Sequence, residues 1–297
     1  MTTGVFPAAE LKPAPGGILD GAASVTEHSD SWGQWTNGAY FWSSDACPVD
    51  LILSDYCANV AEGIIASNDT GSSVEGWPFG IITRYTCLTV GTKLEEMKAT
   101  ALVQNRVGTQ KGLEYELWTG GISRASNHLT NRYLSGPTSI NVTPGAAAVP
   151  VKLGIAALEQ ALADCGLGAA GVIHMTRSAA ALAPGTGTLQ WDDSGKLVTI
   201  LKTPVIAGVG YDADLAWSST PNSSIPIPAP APVGPMPTKQ WMYATGPVSV
   251  HLGPSEIIDI PPMTNIRTNE ISILAGRPAA IYYDSCCTFA VNVDLEK

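Results

Sequence analysis

The stretch GTKLEEMKATALVQNRVGTQKGLEYELWTGG, residues 91–121, decides how the rest of the chain is read. Leu94, Met97, Ala101 and Leu102 recur at helical spacing, and Gly120-Gly121 closes the run. Thr92 followed by Glu95 matches a capping box, in which two side chains reciprocally satisfy free amides at a helix start. A helix from Lys93 to Trp118 would be about 39 Å long at 1.5 Å per residue. Gly108 and Gly112 each cost about 1 kcal/mol relative to alanine, so a kinked or shortened far half is expected.

Upstream, residues 48–90 alternate short apolar runs (VDLILS, GIIAS, GIITRYTCLTV) with the turn-rich NDTGSSVEG. That pattern predicts two or more strands around a long exposed loop. Residues 1–45 are rich in Gly, Pro, Ala, Ser and Thr and show no persistent helical or strand period. They nevertheless carry Trp32, Trp35, Tyr40 and Trp42, more large aromatics than a disordered tail needs. The segment reads as an extended arm that docks onto something, with another subunit a natural candidate, because aromatics are the usual anchors of interfaces.

Downstream, VKLGIAALEQALADCG (151–166) predicts a second helix with Ile155, Leu158 and Leu162 on one face. GVIHM predicts a short strand, TRSAAALA a helix capped by Thr176, and KLVTILKTPVIAG more strand. Residues 217–240 are a proline-rich loop that cannot lie in a sheet interior. From Trp241 the chain is β again, with Val248, Val250 and Leu252 alternating against Ser249 and His251. In the last strand Cys287, Phe289, Val291, Val293 and Leu295 share one face, and Thr288, Asn292 and Asp294 the other.

Only 14% of the 297 residues are charged and the net charge is −10, which excludes a dedicated nucleic-acid binder with clustered Lys and Arg. So little charge implies that much surface is covered by something other than solvated side chains. No basic n-region with an apolar core opens the sequence, and no 18-residue apolar run crosses it, so neither a signal peptide nor a membrane span is expected. The six cysteines are dispersed and read as reduced, buried thiols rather than a disulfide framework.

The search for chemistry is largely empty. Cys286 and Cys287 point to opposite faces of a strand and lack a metal-site spacing, so they read as packing residues. Gly166-Leu-Gly168-Ala-Ala-Gly171 spells a dinucleotide fingerprint, but a helix precedes it and a strand follows. Carbonyls rather than amides would face the glycines, which suits a helix C-cap and a tight turn instead. The four histidines, 28, 128, 174 and 251, form no paired spacing, and His251 on the polar strand face suits a solvated or interface role. No catalytic residue, metal or cofactor is assigned.

The phrases LGIAALEQALADCGLGAAGVIHMTRSAAALA, KTPVIAGVGYD, WMYATGPVSVHLG and NEISILAGRPAAIYYDSCCTFAVNVDL, with the order of elements, resemble major capsid proteins of tailed bacteriophages. These have the HK-ninety-seven-type fold, shared with encapsulin shells, and the similarity is greatest to capsid proteins of actinobacterial phages. It covers residues 75–297 at the level of pattern. The resemblance implies an α+β phage-capsid fold: an N-terminal arm (1–45), an extended β-hairpin loop (46–91), then a long spine helix with the first part of a peripheral domain (92–150). An axial domain (151–239, with the proline-rich loop 217–240) and terminal strands returning to the periphery (241–297) complete it. It further implies a virion subunit made in a bacterial cytoplasm, self-assembling into pentamers and hexamers around packaged double-stranded DNA. Scaffold, portal and decoration proteins are implied partners, and sequence-specific nucleic acid and membrane are not. No charged helical prefix precedes the arm, which points to a separate scaffold or none. Other readings remain: a tail-associated virion module using its tryptophans, or a cytosolic enzyme using Cys287 or the Gly166–Gly171 turn.

Some members of that family link subunits covalently through a lysine on the extended loop. Between Lys12 and Lys93 this sequence has no lysine, so noncovalent stabilisation is expected.

Overall fold

One unbroken helix runs from Leu94 to Thr119 in the computed structural model of the chain. The structure describes residues 12–21, 24–29, 39–42, 73–88, 93–126, 131–145, 147–165, 171–183, 187–218, 237–258, 263–265, 270–283 and 287–297. The first elements are α1 (Ile18–Gly21), β1 (Ser24–Glu27), β2 (Ala39–Trp42), β3 (Ser73–Gly76), β4 (Phe79–Leu88), α2 (Leu94–Thr119) and α3 (Gly121–Ala125). Then come β5 (Ile140–Asn141), β6 (Val149–Pro150), α4 (Val151–Asp164), β7 (Val172–Thr176), α5 (Arg177–Leu182), β8 (Leu189–Trp191), β9 (Leu197–Thr199) and β10 (Val205–Gly208). The last are β11 (Lys239–Thr245), β12 (Val248–Leu252), β13 (Glu256–Ile257), β14 (Met263–Asn265), β15 (Glu270–Tyr283) and β16 (Phe289–Asp294).

The long helix differs from its sequence reading in two respects. Lys93 is its N-cap and makes no side-chain capping bond, and Glu95 pairs forward with Lys98 at 3.0 Å. Thr92 lies outside the described residues. The helix also passes straight through both glycines. A Cβ on Gly112 would stand 3.0 Å from Ile81 and one on Gly108 3.4 Å from Thr83, so β4 crosses the helix where no side chain intervenes. Close packing there offsets the glycine cost, and no kink is needed. Buried Asn105 reinforces the crossing, its amide donating to the carbonyls of Ile81 (2.9 Å) and Ala275 (3.1 Å). The helix stops as expected at Gly120, whose φ of +63° is left-handed and whose N–H bonds the Glu116 carbonyl.

Two six-stranded sheets carry the fold. In the first, β15 is the organiser. β4 pairs antiparallel along its residues 270–279, and β12, β13 and β14 follow one another along its other edge. Pro278 falls at the break between the β12 and β13 registers, where the ladder on that edge is interrupted. β1 adds to β12 in parallel. The second sheet has the order β10-β7-β11-β16-β5, with β6 also on β16.

β16 sits between two cores. Phe289, Val291, Val293 and Leu295 pack with Cys287 into the cluster built by Ile155, Leu158 and Leu162 of α4, as the alternation predicted. The opposite face is also covered: Ala290 joins a second cluster with Leu113, Leu117 and Trp118 of α2, and Thr288 and Asp294 are buried. In that second cluster Trp118 stacks on Tyr211 (4.4 Å) and meets Tyr243 edge-on (4.7 Å).

Several expectations are corrected. The first 45 residues are not featureless, since α1, β1 and β2 form within them, and β2 pairs antiparallel with β3. Residues 14–27 dock on their own chain: Ile18 is fully buried in the α2 cluster, and β1 pairs with β12. β-structure resumes at Lys239 rather than Trp241, inside the span assigned to the proline-rich loop, whose residues 219–236 lie outside the described ones. The cysteines are not all reduced thiols. Cys287 occupies a turn just before β16 and forms a disulfide with Cys165 at the end of α4, with Cα atoms 6.0 Å apart. Both lie in the α4 cluster, so their burial was foreseen and their pairing was not. Cys286 lies outside the described residues.

This bridge joins positions 122 apart in sequence. The chain-entropy model assigns about 5 kcal/mol to closing so long a loop, an upper bound where the unfolded chain is compact. Non-reducing peptide mapping of purified protein should recover a Cys165–Cys287 peptide, and reductant should lower the melting temperature. Cys287→Ser should abolish that sensitivity.

Candidate functional site

The titratable groups buried along α2 and β7 are occupied structurally rather than poised for chemistry. Glu114 is fully buried in the last quarter of α2. Its carboxylate accepts from the backbone amides of Ile18 (3.0 Å), Val209 (2.6 Å) and Gly210 (2.9 Å). One turn earlier, Gln110 donates to the Ala14 carbonyl at 3.1 Å. Burial pushes the Glu114 carboxyl above the usual range, and the three amides with Gln110 pull it back down. The group is a clamp holding the N-terminal segment and the 209–210 turn against the helix. The segment is pinned from its other side as well, where Ala207 N–H donates to Gly16 O (2.7 Å) and Arg177 to Pro15 O (2.9 Å).

Glu116 is likewise buried and accepts from the amides of Ile122 (2.7 Å) and Ser123 (3.2 Å), satisfying the start of α3. His174 is fully enclosed on β7. Thr245 donates its hydroxyl to Gly246 O, so it accepts from His174 Nε2–H, and Nδ1 accepts from Tyr211. Burial lowers the imidazole pKa to about 3, which keeps it neutral. A neutral, doubly bonded histidine in a core is a packing element, not a general base.

Cavities open on the surface of the described residues. One of about 330 Å³ lies between α4 and the Thr199–Leu201 turn, next to Ile200 and Leu201, which are two-thirds exposed. Glu159 fixes the turn by accepting from the hydroxyls of Thr199 (2.5 Å) and Thr203 (2.8 Å). Another, about 620 Å³, is lined by Glu27, His28, Arg106, Leu252, Pro254 and Arg277 among others. There Arg277 Nε donates to Gly253 O (2.9 Å) and Nη2 lies 3.4 Å from Glu27, while His28 Nε2 faces His251 Nδ1 at 3.0 Å. Sequence reasoning missed this pairing, because 223 residues separate the two histidines.

The structure distributes the sequence candidates unevenly. Tyr40 and Trp42 lie on β2, in register with Glu75 and Ser73 of β3, while Trp32 and Trp35 are outside the described residues. Around the Gly166–Gly171 turn a helix ends and a strand begins, as read from the sequence, and residues 166–170 are themselves outside the described set. Cys287 is buried in its disulfide, with no histidine, aspartate or glutamate cluster of metal-binding kind among the described residues. No helix of the described residues is long and apolar enough to cross a membrane.

No protein-family model matches the chain, and no curated protein matches it in sequence. Solved structures do match in shape. A chain from the capsid of a native GTA particle superposes with a TM-score of 0.53 at 9% identity, covering 99% of this chain and 94% of that one. A chain from Mycobacterium phage Ogopogo gives 0.52 at 12% identity (99% and 97%), and one from Microbacterium phage Oxtober96 gives 0.52 at 9% (99% and 95%). At such identities the likeness establishes the fold. The chain has the phage-capsid fold of mixed helix and sheet that its sequence resembles.

Two outcomes test the buried groups. Glu114→Ala leaves three backbone donors without their acceptor and should cost on the order of 3 kcal/mol in urea unfolding, with earlier proteolysis within residues 12–21. For His174, the unfolded chain takes up a proton below about pH 6.5 that the folded chain refuses until about pH 3. Stability should therefore fall as pH drops through that window, and His174→Gln should flatten the slope while lowering stability at neutral pH.

Proposed function

We propose that this protein is the major capsid subunit of a tailed bacteriophage, forming pentamers and hexamers of an icosahedral shell around packaged double-stranded DNA. The observation that carries this reading is coverage. The shared fold takes in 99% of the chain and 94–97% of the matched chains, two of which come from capsids of GTA particles. The surface agrees. Ile82, Ile140, Trp191, Ile200 and Leu201 are each more than half exposed, and the adjacent pair Ile200–Leu201 sits at the mouth of the α4 cavity, side chains that contact with other copies would cover. In this reading α2 is the spine helix, β4 and β15 the peripheral sheet beneath it, and the α4–β7–β10 unit the axial domain. The aromatics Trp32, Trp35, Tyr40 and Trp42 act between subunits. Portal, scaffold and decoration proteins are partners of the same assembly.

Purified protein examined by sedimentation and negative-stain microscopy should give shells or rings of five and six. A uniform monomer whose melting is raised by a small ligand would overturn the reading in favour of an enzyme. The shell should also be noncovalent. A reducing denaturing gel of particles should show one band near 31 kDa, since no lysine lies between Lys12 and Lys93 to weld the loop to a neighbour. A reductant-resistant ladder would contradict it.

A further inference from the structure

The cavity of about 620 Å³ beside β1, α2 and β15 carries charge that the fold leaves unbalanced. Its wall sets two guanidiniums, Arg106 and Arg277, against one carboxylate, Glu27, on a chain whose net charge is −10. The positive surplus is local and belongs to no basic surface. Arg277 stands on β15 with its side chain only 9% exposed. Burial lowers its pKa, Glu27 raises it, and the charge of Arg106 lowers it further, so the two guanidiniums lie close enough to repel.

A buried cation is costly unless it is well paired, and this one is not. Nε donates to Gly253 O at 2.9 Å, whereas Nη2 reaches Glu27 only at 3.4 Å. The Glu27 side chain is 74% exposed, so solvent weakens what that contact contributes. Nη1 has no acceptor among the described residues, and Arg106, exposed on α2, makes no ion pair among them. Geometry sets what would satisfy both. The guanidiniums come from a helix and a strand, and a planar carboxylate, which one guanidinium fork fills, suits such a pair poorly. A tetrahedral oxyanion offers oxygens in several directions, and arginine is the residue of choice for binding it. Leu19, Val25 and Leu252 give the same cavity an apolar side, and its volume falls within the range of about 300–1,000 Å³ usual for small-molecule sites.

We infer that this cavity binds a phosphate group, held between Arg106 and Arg277, with Glu27 turning out to solvent as the anion enters. The phosphate is either the free ion or the charged end of a small organic phosphate whose body rests on the apolar side. The site is complete within one chain, so it stands whether or not copies assemble into a shell.

Calorimetric titration of the full-length protein with inorganic phosphate, at fixed pH and constant ionic strength, should show one saturable site per chain. Arg106→Gln, a change on an exposed helix face, should weaken that binding about tenfold or more, because a charge-assisted bond is lost. Glu27→Gln removes the competing carboxylate and should tighten it, which a purely structural Glu27–Arg277 pair would not do. Adenosine 5′-monophosphate separates the two sources. Tighter binding than inorganic phosphate, still dependent on Arg106, assigns an organic phosphate, and equal or weaker binding assigns the free ion. Phosphate affinity unchanged in both variants, with each melting as the wild type does, would overturn the inference. So would the lack of any saturable heat with phosphate. Acetate binding as tightly as phosphate, with the same dependence on Arg106, would overturn it in favour of a carboxylate site.

Discussion

A buried carboxylate organises this fold. Glu114 stands on the long helix where the N-terminal segment, the 209–210 turn and the aromatic cluster of Trp118 and Tyr211 converge. Placing a carboxylate there is unfavourable by itself, since burial raises its pKa. Three backbone amides aimed at its two oxygens offset the desolvation, and those amides come from segments with no other partner for them in the helix. The arrangement therefore trades one isolated charge for three satisfied donors. It also decides geometry: the chain before β1 must run beside α2 for the amide of Ile18 to reach its acceptor.

With that segment fixed, the rest follows in layers. The helix lies across β4 and β15, with Gly112 tight against Ile81 and Gly108 against Thr83, and Asn105 bonds both strands beneath it. Its last turns reach the second sheet through Trp118, so one helix spans both sheets. β16 is the seam on the other side, presenting Val291 and Val293 to one cluster and Ala290 to the other.

How much of this could be read from sequence depended on the range of the interaction. α2, α4, β7, α5, β12 and β16 were legible because their signals are local: a 3.6-residue or 2-residue period, a glycine stop, a threonine cap. The helix starts one residue later than the Thr92–Glu95 spacing places it, with Lys93 as the N-cap, a shift that pattern alone does not rank. The straight course through Gly108 and Gly112 was hidden because its cause, Ile81 and Thr83, lies on another element. The same holds for the Cys165–Cys287 bridge, for Ile18 in the core and for the His28–His251 contact, each made between residues far apart in sequence. Of the candidate site, the aromatics of the arm were visible as composition. The basic cavity was not, since Arg106 and Arg277 approach one another only after β15 folds back under the helix.

The pairing of β4 with β15 also sets a clock. Thr83 and Ala275 are 192 residues apart in the chain. At a synthesis rate of about 5–20 residues per second, β4 emerges roughly 10–40 s before its partner strand exists. β1 waits longer still, since Ser24 pairs with Ser249. The first sheet thus cannot close until β12 and β15 have been made, so its earliest strands wait for its latest.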